Sequence, residues 1–175
     1  MEIFKLKRSS FLLVLLGSLA GCVATPLPTR SLENLPARSE NFANVYFVRE
    51  AVYFGNAVWP AILLNGQRVA PLPNGTFSMV KLKPGIYQVT MEKEQWTSGP
   101  WSGTTTIEVQ PGKNYYLLLQ LLYRNTSGLV MAGAAPIVTR EAVSEGQRWV
   151  HLEEAVGTTL VKNLPFVDPF VVMAP

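Results

Sequence analysis

The chain has 175 residues, with 15 Lys and Arg, 12 Asp and Glu, one His and a single Cys, and its formal net charge is +3. This length fits one domain, which can bury roughly two-thirds of its unfolded surface in a core without cross-links. One Cys excludes an internal disulfide and a Cys-based metal cluster. The weak positive charge excludes the basic surface of a nucleic-acid-binding protein.

The first 21 residues have the pattern of an export signal. Lys5, Lys7 and Arg8 precede the apolar run 11–21, and Glu2 is the only acid among these residues. A charged stretch followed by a short apolar run is typical of a cleaved signal peptide. Eleven residues span about 16 Å as a helix, half of a bilayer core of about 30 Å. The run is therefore too short for a transmembrane anchor.

The apolar run ends in Leu19, Ala20, Gly21 and Cys22, which resemble the lipobox of bacterial lipoproteins at every position. The resemblance implies cleavage after Gly21, a diacylglyceryl group on the Cys22 thiol, and acylation of the new amino terminus. Each buried methylene contributes about 0.8 kcal/mol, so two or three chains hold a protein stably on a bilayer. The residue after the cysteine is Val23 and not an aspartate. In lipoproteins of this kind, that implies sorting to the outer membrane, facing the periplasm. An unmodified thiol is the alternative.

The residues after the lipobox predict a tether. Residues 23–41 contain Pro26, Pro28 and Pro36 among polar residues and show no sustained period. Such a composition is typical of a flexible linker, here 22–41, which could extend several tens of ångströms at about 3.1 Å per residue. We expect one folded domain over 42–175, best supported over 43–123.

From residue 43 the chain reads as short strands separated by turns. Asn65-Gly66 lies between two apolar runs and favours a type I′ hairpin. In Pro84-Gly85, proline presets φ and glycine is expected to take the left-handed position. Further turn signals occur at Asn74-Gly75 and Pro111-Gly112.

The strands themselves predict the fold class. Residues 87–92 alternate between apolar and polar, whereas 114–123 is apolar on both faces and should be central or part of a partner contact. Six to eight strands at intervals of about ten residues predict an all-β fold: a single antiparallel β-sandwich, Ig-like or prealbumin-like, of about seven to eight strands. Beyond 123 we expect a strand over 149–152 and one helical turn near 153–156. The C-terminal residues are either a packed edge segment or a docking tail.

The order of these motifs resembles the bacterial lipoprotein domain of unknown function numbered 2846. Its relatives show a Val-Tyr-x-x-Arg strand, two Asn-Gly turns, a Pro-Gly turn and a closing Gly-x-x-Tyr-Tyr. The matching positions are Asn65-Gly66, Asn74-Gly75, Pro84-Gly85, and Gly112 with Tyr115 and Tyr116. The domain is also similar to small β-sandwich modules named for a Pro-Glu-Gly-Ala motif, from which residues 83–86 depart. The resemblance supports the predicted fold and the predicted cellular location, and it implies no activity.

The residues that could perform catalysis are few. His151 has Glu153 two positions on, but no nucleophile accompanies them, and a solvated histidine is the better interpretation. Glu92 and Glu94 alternate onto one face as a glycosidase pair might, yet Lys93 between them favours simple solvation. Asp168 is the only aspartate in the sequence. The sequence also has no phosphate-binding loop and no Gly-x-Ser-x-Gly nucleophile elbow. We expect no enzyme activity, no cofactor and no metal.

Three tryptophans offer the remaining binding hypothesis. Trp96 and Trp101 lie in a stretch rich in Gly, Pro and Ser, and Trp59 precedes Pro60. Exposed tryptophans bind sugar rings or partner side chains, although capping the ends of the sandwich is the commoner role. The sequence therefore predicts a lipid-anchored envelope protein that acts through protein contacts. A peptidoglycan- or polysaccharide-binding module is the alternative.

Overall fold

The computed structural model describes residues 27–52, 59–92, 103–132 and 135–172, with side chains described outside 121–146. In this part of the chain, ten strands and one helix follow one another. They are β1 (Thr29–Arg30), β2 (Ala43–Arg49), β3 (Ala61–Leu64), β4 (Gln67–Pro71), β5 (Thr76–Leu82), β6 (Gly85–Met91), β7 (Thr105–Val109), β8 (Asn114–Ala132), β9 (Ala135–Leu152), α1 (Glu154–Lys162) and β10 (Phe166–Val167).

The strands form two sheets, which confirms the predicted all-β sandwich. The six-stranded sheet has the order β1-β10-β5-β2-β8-β9, and the four-stranded sheet has the order β4-β3-β6-β7. Most neighbours are antiparallel, but β2 runs parallel to β8, and β10 runs parallel to β5. The described part of the chain thus has more strands than predicted, and its larger sheet is mixed.

The main core lies between the two sheets. Alternate residues of β2 and β8, such as Val45, Phe47 and Leu117, meet Ile62 and Val89 from the four-stranded sheet. Full burial of each such side chain contributes about 1.5–3 kcal/mol. Because successive residues of a strand point to opposite faces, the remaining residues of β2 lie on the other side of the sheet.

Trp149 and Arg49 fasten the margins of this core. The indole of Trp149 packs edge-on against Phe47, with ring centroids 5.9 Å apart, and its Nε1 donates to the carbonyl of Gly103 at 3.1 Å. Arg49 is buried at the end of β2, and its Nη1 donates to the carbonyl of Leu72 at 3.3 Å. Trp149 thus ties β9 to the chain just before β7, and Arg49 ties β2 to the chain just after β4.

A second core covers the outer face of the six-stranded sheet. Tyr46, Phe77 and Tyr116 point away from the four-stranded sheet and pack with Val161 of α1 and Phe166 of β10. All seven residues of β2 are consequently buried. The prediction that the apolar strand near 114–123 is central and covered on both faces is confirmed for the side chains described up to 120.

The helix α1 is longer than the single turn predicted near 153–156. Gly157, Thr158 and Thr159 have low helix propensities, so the sequence there resembles a loop. Packing decides the structure instead, because Gly157 lets α1 lie directly on β8. A Cβ atom at position 157 would be only 2.2 Å from Cγ of Tyr116. Glu154 in the first turn and Lys162 in the last turn also complement the helix dipole.

The turns confirm one glycine prediction and correct another. Asn65 (φ 50°) and Gly66 (φ 82°) both have positive φ, as a type I′ hairpin between β3 and β4 requires. Gly85 does not take the predicted left-handed conformation, because it already begins β6 in extended geometry. The Pro84-Gly85 stretch carries the chain from the six-stranded to the four-stranded sheet and is not a hairpin turn.

The N-terminal segment packs on the sandwich from Thr29 onward, so the predicted linker is shorter than expected. Thr29 and Arg30 pair with β10. Leu32 and Leu35 pack against the second core. The Asn44 side-chain amide lies 3.4 Å from the carbonyls of Pro36 and Ala37.

The C-terminal segment is a packed edge, one of the two alternatives predicted for it. Phe166 of β10 is in register with Phe77 of β5. The backbone N–H of Phe170 then donates to the carbonyl of Val69 at 2.9 Å. The segment therefore passes from the edge of one sheet to the edge of the other.

The close contact between α1 and β8 is testable with Gly157→Ala. Alanine normally stabilises a helix interior by about 1 kcal/mol relative to glycine. Here the added methyl group would meet the Tyr116 ring, so we expect a loss of about 1–3 kcal/mol in the free energy of unfolding. Urea unfolding followed by circular dichroism measures it.

Thr159→Ala is the matched control, because Thr159 lies on the exposed side of the same helix. This variant should retain or slightly increase stability. An increase in stability for Gly157→Ala would contradict the packing described.

Candidate interaction site

Most of the predicted site residues lie outside the described residues. These are the lipobox residues Leu19, Ala20 and Gly21, the lipidation site Cys22, and the loop tryptophans Trp96 and Trp101. Trp59 is described, is half-buried, and lies two residues before β3. The structure therefore bears on one of the three tryptophans proposed to contact a ligand or partner.

The predicted titratable residues are held by separate neighbours. His151 Nε2 and Thr105 Oγ1 lie 3.0 Å apart in an exposed hydrogen bond between β9 and β7. The Glu92 carboxylate forms an ion pair with Arg68 Nε of β4 at 2.9 Å, and Asp168 forms one with Arg30 of β1. Glu94 lies outside the described residues. These contacts direct His151 and Glu92 towards different edges of the four-stranded sheet.

Among the described residues, no group of three or more His, Cys, Asp or Glu side chains could hold a metal ion. The described helix is not long and apolar enough to cross a membrane.

A polar cluster surrounds the N-terminus of α1. The Glu154 carboxylate accepts from the Asn114 amide at 3.1 Å and pairs with Arg38. The Asn44 amide in turn donates to Asn114 Oδ1 at 3.0 Å. This chain of contacts joins the N-terminal segment, β2, β8 and α1, so its role is to fasten the elements that cover the second core.

Two stacked tyrosines lie beneath this cluster. The rings of Tyr46 and Tyr116 are 4.7 Å apart and nearly parallel, and the Tyr116 hydroxyl is hydrogen-bonded to Thr158 Oγ1 at 2.9 Å. The Tyr46 hydroxyl is buried without a hydrogen-bond partner among the described residues. Burial first, and then the nearby Tyr116 and Glu154, raise the pKa of Tyr46 well above its usual value.

An apolar groove of about 570 Å³ opens beside α1, at the point where β2 ends. Its lining includes Leu118 of β8, Leu152 of β9, Ala155 and Val156 of α1, and Glu50, the residue that follows β2. Beyond this point β8 continues without β2 beside it. The groove therefore borders the stretch of the β8 edge beside which no described strand lies.

The principal feature of the molecule beyond its two cores is a projecting hairpin. β8 pairs with β2 only as far as Leu118 but continues to pair with β9 up to Ala132, opposite Ala135. A β-bulge at Leu122/Tyr123 interrupts the register. We call residues 123–132 and 135–144 the distal ribbon. Its ten residues per strand correspond to about 33 Å.

The described strands leave the outer backbone edges of the distal ribbon unpaired. In the described part of the chain, neither β9 nor the portion of β8 beyond Leu118 pairs with any strand other than its hairpin partner. An isolated two-stranded ribbon is only marginally stable in water. Unpaired strand edges are also templates for pairing with another chain. The ribbon and the bordering groove together form the candidate interaction site.

The comparison with protein families shows the family to which the chain belongs. It belongs to the family described as a protein of unknown function (DUF2846), which matches residues 39–133, slightly more than half of the chain. The match runs from just before β2 to the end of β8, and it confirms the family resemblance expected from the turn motifs. No curated protein and no solved structure matches the chain significantly.

The distal ribbon is not apparent from the sequence pattern. Gly128 and Pro136 interrupt the pattern there, and residues 128–138 read as a small apolar stretch without a period of two. The available signals were Tyr123 and Thr126 before that stretch and Thr139 and Val143 after it. Such β-branched and aromatic residues favour strands without indicating their length.

The unpartnered hydroxyl of Tyr46 leads to a stability prediction. Tyr46→Phe removes a buried group that lacks a hydrogen bond, so at neutral pH we expect stability to stay equal or to rise by up to about 1 kcal/mol. Tyr116→Phe, the matched control, loses the Thr158 hydrogen bond and should be less stable than the wild type. Thermal unfolding compares the two.

The same variant tests a pH dependence. A tyrosine whose pKa is raised by folding leaves the free energy of unfolding unchanged below its unfolded pKa of about 10. Above that pH the unfolded state releases the proton more readily than the folded state, so stability falls as pH rises. Wild-type stability should therefore fall above about pH 10, and Tyr46→Phe should reduce that fall. Identical alkaline profiles for the two proteins would contradict the burial of the Tyr46 hydroxyl.

Proposed function

We propose that this protein is a lipid-anchored protein of the bacterial cell envelope, held through Cys22 at the outer membrane and facing the periplasm, where its β-sandwich acts through protein contacts without catalysis. The observation that carries the proposal is the lipobox from Leu19 to Cys22, preceded by three cations and an apolar run. Membership of DUF2846 leaves the activity open and is compatible with this role.

The distal ribbon supports the part of the proposal that concerns protein contacts. Strand addition uses main-chain hydrogen bonds for affinity and side-chain pockets for specificity. The open edge of β8 offers the main-chain groups, and the groove lined by Leu118 and Leu152 lies beside that edge. A partner strand that extends the sheet at this position would both stabilise the ribbon and cover the groove.

The composition of the distal ribbon also suits a protein partner. The residues nearest its tip, 129–132 and 135–138, are all apolar, whereas Arg124, Arg140 and Glu141 lie farther towards its base. An apolar centre with charged residues around it is the usual composition of a protein interface. We infer that the partner presents an apolar surface to the tip.

The anchor is tested by Cys22→Ser in the full-length chain. Serine cannot form the thioether, so labelling with a fatty-acid analogue should be lost and unprocessed precursor should accumulate. Mass spectrometry of the mature wild-type protein should show the acyl groups on the N-terminal cysteine. Normal labelling of the serine variant would refute the anchor.

The partner contact is tested by shortening the hairpin. Replacing residues 123–145 with Asn-Gly joins Leu122 to its pairing partner Gly146 through a turn of the type found at Asn65-Gly66. Cross-linking in intact cells should yield a discrete adduct for the wild type and lose it for this variant.

Two controls accompany the shortened hairpin. Because the described residues of both cores lie outside the replaced segment, the melting temperature should change by no more than a few degrees. Fatty-acid labelling through Cys22 should also persist. An unchanged adduct in a folded, lipidated short-hairpin variant would show that the ribbon is not the contact site.

A further inference from the structure

One side of the sandwich is closed by the two terminal segments. β1 pairs with β10 at the edge of the six-stranded sheet, and residues 168–172 then cross to β4. The crossing is held by hydrogen bonds from the N–H groups of Phe170 and Val171 to the carbonyl of Val69, and from Lys81 N–H to the carbonyl of Val172. We call β1, β10, residues 168–172 and Arg68 the terminal face.

The terminal face exposes apolar side chains on a fixed backbone. Phe170 is 51% exposed and Val172 is 69% exposed, and they are two of the four large apolar side chains that the described residues expose to this degree. Arg68 lies over the Phe170 ring at 5.0 Å, and Arg30 lies over the Phe166 ring at 5.1 Å. Aromatic rings beside arginines are suited to a membrane interface, where the apolar part is buried and the charge stays in water.

The length of the tether places this face near the lipid. Only seven residue steps separate Cys22 from Thr29, the first residue of β1. Even a fully extended chain spans at most about 25 Å over that distance. The proposed anchor therefore keeps β1 within about 25 Å of the bilayer, and nearer wherever the tether is not fully extended. By contrast, β9 lies at the opposite edge of the same sheet, five strand spacings or about 24 Å away.

We propose that the terminal face rests on the bilayer to which Cys22 is anchored, with Phe170 and Val172 entering the headgroup region. This inference rests on the proposed lipid anchor and adds an orientation to it. The distal ribbon then projects from the side away from β1. The acyl chains supply the affinity for the membrane, and the terminal face determines which side of the domain meets it.

The contact is apolar in character because the charges of the face are already paired. Arg30 pairs with Asp168 at 2.7 Å, and Arg68 pairs with Glu92 at 2.9 Å. The formal charges of these two ion pairs cancel, so among the described residues the pairs themselves offer no net charge to attract anionic lipids. A zwitterionic bilayer is therefore sufficient, and added salt should leave the contact unchanged.

The test uses the full-length lipidated protein in phosphatidylcholine vesicles. Because Cys22 is acylated, an introduced cysteine is the only free thiol and can carry an environment-sensitive fluorophore. A label at Phe170→Cys should shift to shorter emission wavelengths and be quenched several-fold more strongly by doxyl-labelled lipids than a label at Glu108→Cys. Glu108 is the control because it is exposed on β7, at the far edge of the four-stranded sheet.

The possible outcomes separate this inference from the anchor on which it rests. If the acyl adduct is present by mass spectrometry and both labels are quenched equally, the orientation is overturned while the anchor stands. If the adduct is absent, the anchor fails and this inference fails with it. Stronger quenching at Phe170 that disappears on adding salt would overturn the apolar character of the contact.

Discussion

The structure depends on one constraint: β2 is buried on both faces. All seven of its residues, from Ala43 to Arg49, are inaccessible to solvent. A strand of this kind needs a layer on each side, because every exposed apolar side chain would forfeit its burial energy. The four-stranded sheet provides one layer. The other layer is assembled from α1 and the segment before β2, which pack on that face together with Phe166 of the neighbouring strand β10.

The need to cover the second face of β2 explains why short and irregular segments are essential to the fold. α1 is only nine residues long and begins without a side-chain N-cap, so it would be marginal in isolation. It is held by the absence of a side chain at Gly157, by the stack of Tyr46 on Tyr116, and by the polar cluster around Glu154. The terminal segments are bound for the same reason, since they complete the cover over Phe77. Their position on the sandwich is what shortens the tether and brings one face close to the proposed membrane anchor.

The sequence predicted the features that local chemistry determines. The Asn65-Gly66 hairpin, the strand at β2 and the central position of β8 were recognisable from turn residues and from the apolar pattern. The length of α1 was underestimated because Gly157 and the two threonines after it are poor helix formers. Their role depends on the packing of the helix against Tyr116, which the sequence does not reveal. Gly85 was misinterpreted because a Pro-Gly pair does not reveal whether the chain turns within a sheet or changes sheets. The ribbon was missed because its pairing is decided across the hairpin, and the lipid anchor remains a prediction of the lipobox alone.

The parallel pairing of β2 with β8 has a consequence for how the chain folds. Asn44 lies opposite Asn114, so the centre of the large sheet is closed by residues 70 positions apart. Everything from β3 to β7 lies between them in the chain, and most of it belongs to the other sheet. Long-range closure of this kind carries a high entropic cost and slows folding. Until it occurs, the edges that β2 and β8 present to each other are open to other chains, which makes the period before closure the one when this protein is most prone to aggregate.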